Sequence, residues 1–346
     1  MRNVLTLTFA LFCVLDVPPL CGQTPGARPL DIYIVDVEGG QATLVVSPSG
    51  ESMLVDTGWP GFEGRDAARI EAAMKQAGVS RIDYLVVTHY HTDHAGGLPA
   101  LAARVPIGTF VDHGPTFENP TNPIYTAYLE ARKRGKHLQV KPGDRIPVAG
   151  LEVTVVSSAG EVLPKELPGG GHLNPGCETH KPQPPDTSEN ARSVGMVIRH
   201  GSFRMVNLGD LTWNTEHGLA CPSNKIGPID LYLTTHHGSD TSGPPALVHG
   251  FRPRVAIMNN GAKKGGSPAA WRVVRDSPGL EDFWQLHTAL DAGPDFNTQD
   301  QFIANPDEST SHAIKVSAAQ DGSFTVTNTR NAFAKTYRPR GGVAGQ

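Results

Sequence analysis

Apolar and polar positions divide the chain into short strands with a few helices between them. Asp31-Ile-Tyr-Ile-Val-Asp-Val, Ala42-Thr-Leu-Val-Val and Ser52-Met-Leu-Val-Asp56 carry strand-type patterns separated by Gly39-Gly40 and Pro48-Ser49-Gly50, so they predict an antiparallel meander. Asp66 to Ala77 has helical spacing and stops at Gly78. Tyr84-Leu-Val-Val-Thr88 is a continuous apolar run, the mark of a strand buried on both faces. Helices are expected near His94 to Arg104 and Pro123 to Arg134, followed by a hairpin from Arg145 to Val156. Strands resume at Val194 to Arg199 and Phe203 to Leu208, then at Asp230 to Thr234 and Val255 to Met258, and two more are expected between Phe302 and Asn328.

Between Ala159 and Asn190 the chain is rich in Gly, Pro and polar residues without a period, which predicts a long surface loop of the kind that often carries function. At the start, a nearly unbroken apolar segment from Val4 to Val17 follows Met1-Arg2-Asn3 and gives way to Pro18-Pro19 and small residues. That segment reads as a signal peptide over 1–22, too short to span a bilayer comfortably. The expected organisation is therefore a leader at 1–22, a linker at 23–30, one domain at 31–330 with the loop at 159–190, and a loose tail at 331–346. The location implied is outside the cytoplasm, periplasmic or secreted, with no membrane contact once the leader is cut.

With 346 residues, 38% hydrophobic and 18% charged, the chain can bury a substantial core. Its formal net charge of -4 offers no basic face for long nucleic acid, so a small-molecule or phosphoester substrate is the expected partner. The cluster Arg132, Lys133, Arg134 and Lys136 reads as the charged end of a helix. Two of the four cysteines lie in or beside the leader. Cys177 and Cys221 remain, able to pair in an oxidising compartment or to stay as two thiols.

One stretch concentrates chemistry. Thr88-His89-Tyr90-His91-Thr92-Asp93-His94-Ala95-Gly96-Gly97 packs three imidazoles and a carboxylate into six residues, a donor density suited to a zinc-like ion. On an extended segment His89 and His91 point the same way, while Asp93 and His94, at a turn into a helix, can address a second position nearby. That arrangement suits a two-metal centre. A long-range echo adds to it: Ile82-Asp-Tyr-Leu-Val-Val-Thr-His89 and Ile229-Asp-Leu-Tyr-Leu-Thr-Thr-His236 share the order Ile, Asp, apolar strand, Thr, His. Each ends a buried strand on a histidine, where layered α/β folds collect their active sites.

The motif H-x-H-x-D-H with Gly96-Gly97, the early Asp56-Thr57-Gly58, the segment Leu208-Gly209-Asp210 and the late Thr235-His236-His237-Gly238-Ser239 together resemble the metallo-β-lactamase superfamily. More narrowly, Ser193 to Ile198, Asn207 to Asp210 and His236 to Ser242 are similar to the soluble hydrolase domain of ComEC/Rec2 competence proteins. The resemblance implies an α/β fold, an αββα sandwich of two mixed sheets flanked by helices. It implies a metal-dependent hydrolase that uses a metal-bound hydroxide, on a phosphoester or related ester, with cyclic esters or amides as the alternative substrates and a non-catalytic metal-binding module as the rival class. By the same resemblance His89 and His91 hold the first metal, Asp93, His94 and His236 the second, and Asp210 bridges them. The ions are expected to be Zn2+, two of them, with Mn2+ as the alternative. Asp93 orients the nucleophile and His237 stands beside it as a second catalytic candidate. The third ligand of the first metal is unfilled; Asn190 is the choice, ahead of His172 and His180. Ser239, Thr241 and Ser242 precede Pro244 and suit a helix start, as caps or as a cradle for an oxyanion. Trp59 and Trp213 follow the motifs closely, placed either to line the pocket or to pack as core aromatics.

Overall fold

The computed structural model describes residues 28–340; the leader expected at 1–22 and most of the linker lie outside them. Two mixed sheets pack face to face with helices on the outer side of each. The first sheet has the strand order Ala334–Tyr337, Phe324–Asn328, Ile314–Ala318, Leu30–Ile34, Thr43–Val46, Ser52–Val55, Ile82–Val86, Ile107–Asp112 and Lys136–Gln139. The second runs from Ile303–Asn305 through Asp282–His287, Val255–Met258, Leu231–Leu233, Phe203–Asn207 and Gly195–His200 to Glu152–Ser158 and Arg145–Ile146.

The period-two pattern explains the layering. In the opening meander, which is antiparallel throughout, Ile32, Ile34, Val45, Met53 and Val55 face the second sheet. Alternate residues Tyr33, Leu44, Val46 and Leu54 face the helices Arg65–Ala77, Leu98–Ala102 and Pro123–Arg132. A third apolar layer lies between the second sheet and the helices Trp213–Ala220, Pro245–Phe251 and Pro268–Arg275. Three buried layers separated by two sheets leave only the sheet edges for polar chemistry.

The echo between Ile82 and Ile229 has a structural counterpart. Asp83 Oδ2 accepts from Ser52 N at 3.0 Å, and Asp230 Oδ2 accepts from Arg204 N at 3.0 Å. Each aspartate ties an amide at the start of a neighbouring strand, Ser52 the first residue of its strand and Arg204 the second, which helps set the register that carries both strand ends to the same rim of the sandwich.

Several expectations change. The helix expected over His94 to Arg104 is two short helices, Thr92–Ala95 and Leu98–Ala102, parted where Gly97 lies so close to Thr57 O that a Cβ would meet it at 2.0 Å. Strands Ile107–Asp112, Lys136–Gln139 and Asp282–His287 went unpredicted, because they show no clean alternation. Residues 334–340 were expected to be loose, yet Ala334–Tyr337 is the edge strand of the first sheet, Tyr337 is buried and Arg340 Nε bonds Asp230 Oδ1 at 3.0 Å. The loop at 159–190 is irregular apart from short pieces such as Glu161–Val162 and His172–Leu173, and it is stapled to the body by a Cys177–Cys221 disulfide, which answers a question the sequence left open. The basic cluster is a charged helix end: Arg132 bonds Asp112 and Lys133 bonds Glu130. Among the described residues no helix is long and apolar enough to cross a membrane.

Candidate metal centre

Four chain segments converge where the two sheets end. Thr88 to His94 follows Ile82–Val86, Gly209-Asp210 follows Phe203–Asn207, Thr235–Gly238 follows Leu231–Leu233, and Asp56 closes Ser52–Val55. Gly209 is required here: at φ +57 it passes so close to Thr88 that an added Cβ would sit 2.9 Å from the threonine Cβ. Its carbonyl accepts from His236 N at 3.0 Å, joining two of the segments directly.

The buried donors Asp93, His94, Asp210 and His237 offer ligand atoms that all lie within 4.8 Å of one another. His94 Nε2 is 3.2 Å from Asp93 Oδ2 and 3.1 Å from Asp210 Oδ2. His237 Nε2 is 3.3 Å from Asp93 Oδ2, from Asp210 Oδ1 and from His94 Nε2. Beside this group His89 Nε2 meets His91 Nδ1 at 3.1 Å, and His236 Nε2 lies 3.3 Å from Asp210 Oδ2.

The outer nitrogens of these rings are held by the protein. Asp56 Oδ2 bonds His94 Nδ1 at 2.8 Å while its carboxylate also accepts from Thr88 N and Thr88 Oγ1. His89 Nδ1 faces Thr88 Oγ1 and Ser193 Oγ, His236 Nδ1 faces Thr241 Oγ1 and Ser242 Oγ, and His237 Nδ1 faces Asn259 Nδ2. Glu118 Oε1 takes His91 Nε2 at 3.1 Å. With the outer positions committed, the inward nitrogens crowd at distances that suit lone pairs sharing a cation, the outer-shell ordering typical of metal-ligating histidines. Asp210 Oδ1, buried and without a hydrogen-bond partner, fits the same reading.

Electrostatics agree with the geometry. Burial opposes a charge on His94, yet the carboxylates of Asp210, Asp93 and Asp56 hold its imidazolium well above the usual range. Burial would raise Asp93 and Asp210, but the surrounding imidazoles, led by His94 for Asp93 and by His237 for Asp210, pull both well below ordinary carboxylates. His89 is driven well down by burial and by His94, leaving the neutral ring that ligates. The buried carboxylates therefore call for positive charge in their midst, which protons or metal ions supply.

The structure brings together His89, His91, Asp93, His94, Asp210, His236 and His237, but it exchanges two expected places. His237, expected as a catalytic group, closes the four-donor cluster, whereas His236, expected as a ligand of the second metal, stands at its more open side. The reason is local: both residues have φ +55, so strand alternation, which favoured His236, stops applying after Leu233. Asn190 lies in the short turn Glu189–Arg192, just before Ser193, which faces His89 Nδ1; its Oδ1 is buried without a partner. His172 is exposed in Leu173's two-residue strand, and His180 stacks on His217, away from the cluster. The helix after Pro244 has no side-chain cap, so Ser239, Thr241 and Ser242 do not cap it; Thr241 and Ser242 orient His236, and Ser242 Oγ donates to Leu211 O.

Sequence reasoning missed Glu118, Ser193, Asn259 and Lys264. Lys264 Nζ bonds Asp93 Oδ2 and sits 4.8 Å above the Trp59 ring. Its signal was available in Gly261-Ala-Lys-Lys-Gly-Gly266, two lysines in a glycine-rich turn after a buried strand. The network around Glu189, which accepts from Tyr90 N, Thr116 Oγ1 and Phe117 N and pairs with His113 Nε2, had no sequence signal because its members are far apart in the chain.

Behind the His236 turn, Glu216 is fully buried, accepts from Gly243 N at 2.6 Å, and is pushed by burial to about 8. The folded protein thus keeps a proton that the unfolded chain releases near the usual 4.5. This contribution is complete below that value and is lost as pH rises toward 8, at up to about 1.4 kcal/mol per pH unit within the window. Urea unfolding across that window is expected to show a weaker fall in stability for Glu216→Gln than for the parent; equal slopes would refute the assignment.

Residues 35–181 match the sequence model of the metallo-beta-lactamase superfamily. Recombination protein 2 of Haemophilus influenzae is 25% identical over 262 residues, 75% of this chain but 28% of that protein, so the chain spans under a third of that relative's length. A UPF0173 metal-dependent hydrolase of Cupriavidus necator is 26% identical over 68% of this chain and 77% of its own length. Among solved structures, the metallo-beta-lactamase fold protein YhfI of Bacillus subtilis covers 75% of this chain and 96% of its own at 11% identity, with a TM-score of 0.46.

Proposed function

We propose, on the match of residues 35–181 to the metallo-β-lactamase superfamily, that this chain is a metal-dependent hydrolase of anionic esters, phosphoesters first among them. The family and its fold support a hydrolase in general; the substrate class rests on Lys264. Its ammonium reaches Asp93 at the centre, is partly exposed, and is backed by Trp59. Trp59 is itself held by its backbone N–H donating to Asp66 Oδ2 at 2.8 Å. A cation at that place favours a substrate that brings negative charge to the metals.

Asp93, His94, His237 and Asp210 would hold one ion, and His89 and His91, with Asp210 shared, the other. Bound there, such ions acidify a water and polarise the scissile group. The rest falls to the chain. Asp56, Asn259, Ser193 and Glu118 fix ring orientations, Asp93 offers a carboxylate to orient the attacking water, and Lys264 pairs with the substrate's anionic oxygen. His236, partly open and tethered through Nδ1 to Thr241 and Ser242, is placed to move a proton at Nε2. We assign the chain to a compartment outside the cytoplasm, a reading supported by the Cys177–Cys221 disulfide.

Turnover of chromogenic phosphodiester, neutral carboxylic ester, lactone and β-lactam panels tests the reading. Metal-dependent cleavage of the phosphodiester is expected, with Lys264→Ala raising its KM about tenfold, the scale of one charge-assisted contact. Neutral esters should be unaffected by that change. Cleavage confined to lactones or lactams would move the chain to the alternative substrate class. Two bound metals without turnover on any panel would make it a binding module.

A further inference from the structure

We propose that Cys177, His180, His217 and Cys221 form a second metal site, separate from the centre above, which binds a zinc-class ion when the Cys177–Cys221 disulfide is reduced. The four residues stand in the order Cys-x2-His and His-x3-Cys, spacings at which two short segments present paired ligands to a tetrahedral ion. His217 and Cys221 are one helical turn apart at the end of Trp213–Ala220, on the same face. Donor atoms of Cys177, His217 and Cys221 all lie within 4.8 Å of one another. The His180 ring is 4.0 Å from the His217 ring, and its Nδ1 is shielded from solvent without a hydrogen-bond partner.

A disulfide that only staples a loop needs no imidazoles beside it. Here two stand against it, in surroundings that favour a cation: the C-terminal end of the helix concentrates carbonyl partial charge where His217 sits. Paired thiolates with two imidazoles are a donor set for Zn2+ or Co2+, softer than the carboxylate-rich set of the main centre.

Loading the site requires reduction. A cellular dithiol gives two electrons and two protons to the disulfide and is itself oxidised to a disulfide; a phosphine does the same in vitro, ending as its oxide with oxygen from water. The two thiols then lose their protons as the metal binds. The clasp therefore has two closed states, one covalent and one metal-bound. Both hold the segment whose Lys181 O accepts from Trp213 Nε1 and whose Gln183 pairs with Asn214, just downstream of Asp210.

The full chain, stripped of metal, is reduced with a phosphine and titrated with Co2+, alongside the oxidised chain. The reduced protein is expected to take up about one more equivalent and to develop a thiolate-to-cobalt charge-transfer band, which no ligand of the main centre can produce. His217→Ala and His180→Ala leave the cysteines in place and should weaken that extra uptake at least about tenfold, with phosphodiester turnover of the oxidised protein unchanged. As a second readout that does not depend on the variants, Zn2+ should slow alkylation of Cys177 and Cys221 in the reduced chain. Absence of the band and of alkylation protection overturns the proposal, as does a band that persists undiminished in both histidine variants. Because the signature is thiolate-specific, failure here leaves the hydrolase reading standing, and failure of turnover leaves this one standing.

Discussion

Asp210→Ala is expected to lower turnover by at least about a thousandfold, some 4 kcal/mol of lost transition-state stabilisation, and to reduce the metal content of the protein. Both oxygens of this carboxylate face the rings: Oδ2 lies 3.1 Å from His94 Nε2 and 3.3 Å from His236 Nε2, and Oδ1 approaches His237 Nε2 to 3.3 Å without a hydrogen bond. No other described carboxylate touches these three rings together, so no neighbour can take over. Asp210→Asn keeps the shape and removes the charge, which separates loss of metal from local collapse. Metal analysis and steady-state turnover on the phosphodiester are the measurements. A variant retaining its full metal complement and its rate would remove Asp210 from the centre and the two-metal reading with it.

Trp284→Ala should destabilise the fold by about 3–5 kcal/mol, the usual cost of emptying a large aromatic site. Trp284 is fully buried between the sheets, meets Phe302 edge-on at 4.9 Å and Phe333 at 5.7 Å, and donates from Nε1 to Tyr337 Oη at 3.2 Å. Tyr337 Oη in turn donates to Asp282 Oδ2 at 2.7 Å, so the loss reaches the last strand of the first sheet as well. Trp284→Phe, which keeps most of the volume, should cost less than half as much. Urea unfolding followed by circular dichroism measures both, and a cost below about 1 kcal/mol for the alanine variant would show that the site collapses without penalty.

The first motif was legible because its residues are close in sequence. Six residues carry three imidazoles and a carboxylate, and the extended-then-turning chain at His91 places them on one rim whatever the rest does. Asp56 was visible as the end of a strand, and its contact with His94 Nδ1 gives that position a physical task. The placement of His236 and His237 was not legible, since two successive residues at positive φ obey no period that a pattern can reveal. Glu118 was hidden for another reason: it sits in a loop whose path depends on packing far away, and a glutamate in a polar loop carries no signal of its own, whereas Lys264 left only the trace of two lysines in a glycine-rich turn.

What the amino-acid order determined by itself was local and periodic: alternation that sorts Ile32 from Tyr33 and Val45 from Leu44, helical spacing from Asp66 to Ala77, and a dense set of donors between His89 and His94. Only tertiary structure decided which distant groups join them. Asp210 and His237 reach His94 because parallel pairing of Phe203–Asn207 with Leu231–Leu233 carries both strand ends to the same rim as Thr88, and Cys177 meets Cys221 because the loop that carries Cys177 folds against the helix Trp213–Ala220. Periodicity is a property of neighbours along the chain. Convergence depends on how whole sheets stack, and the free energy that stacks them comes from buried apolar area far from any of the groups that converge.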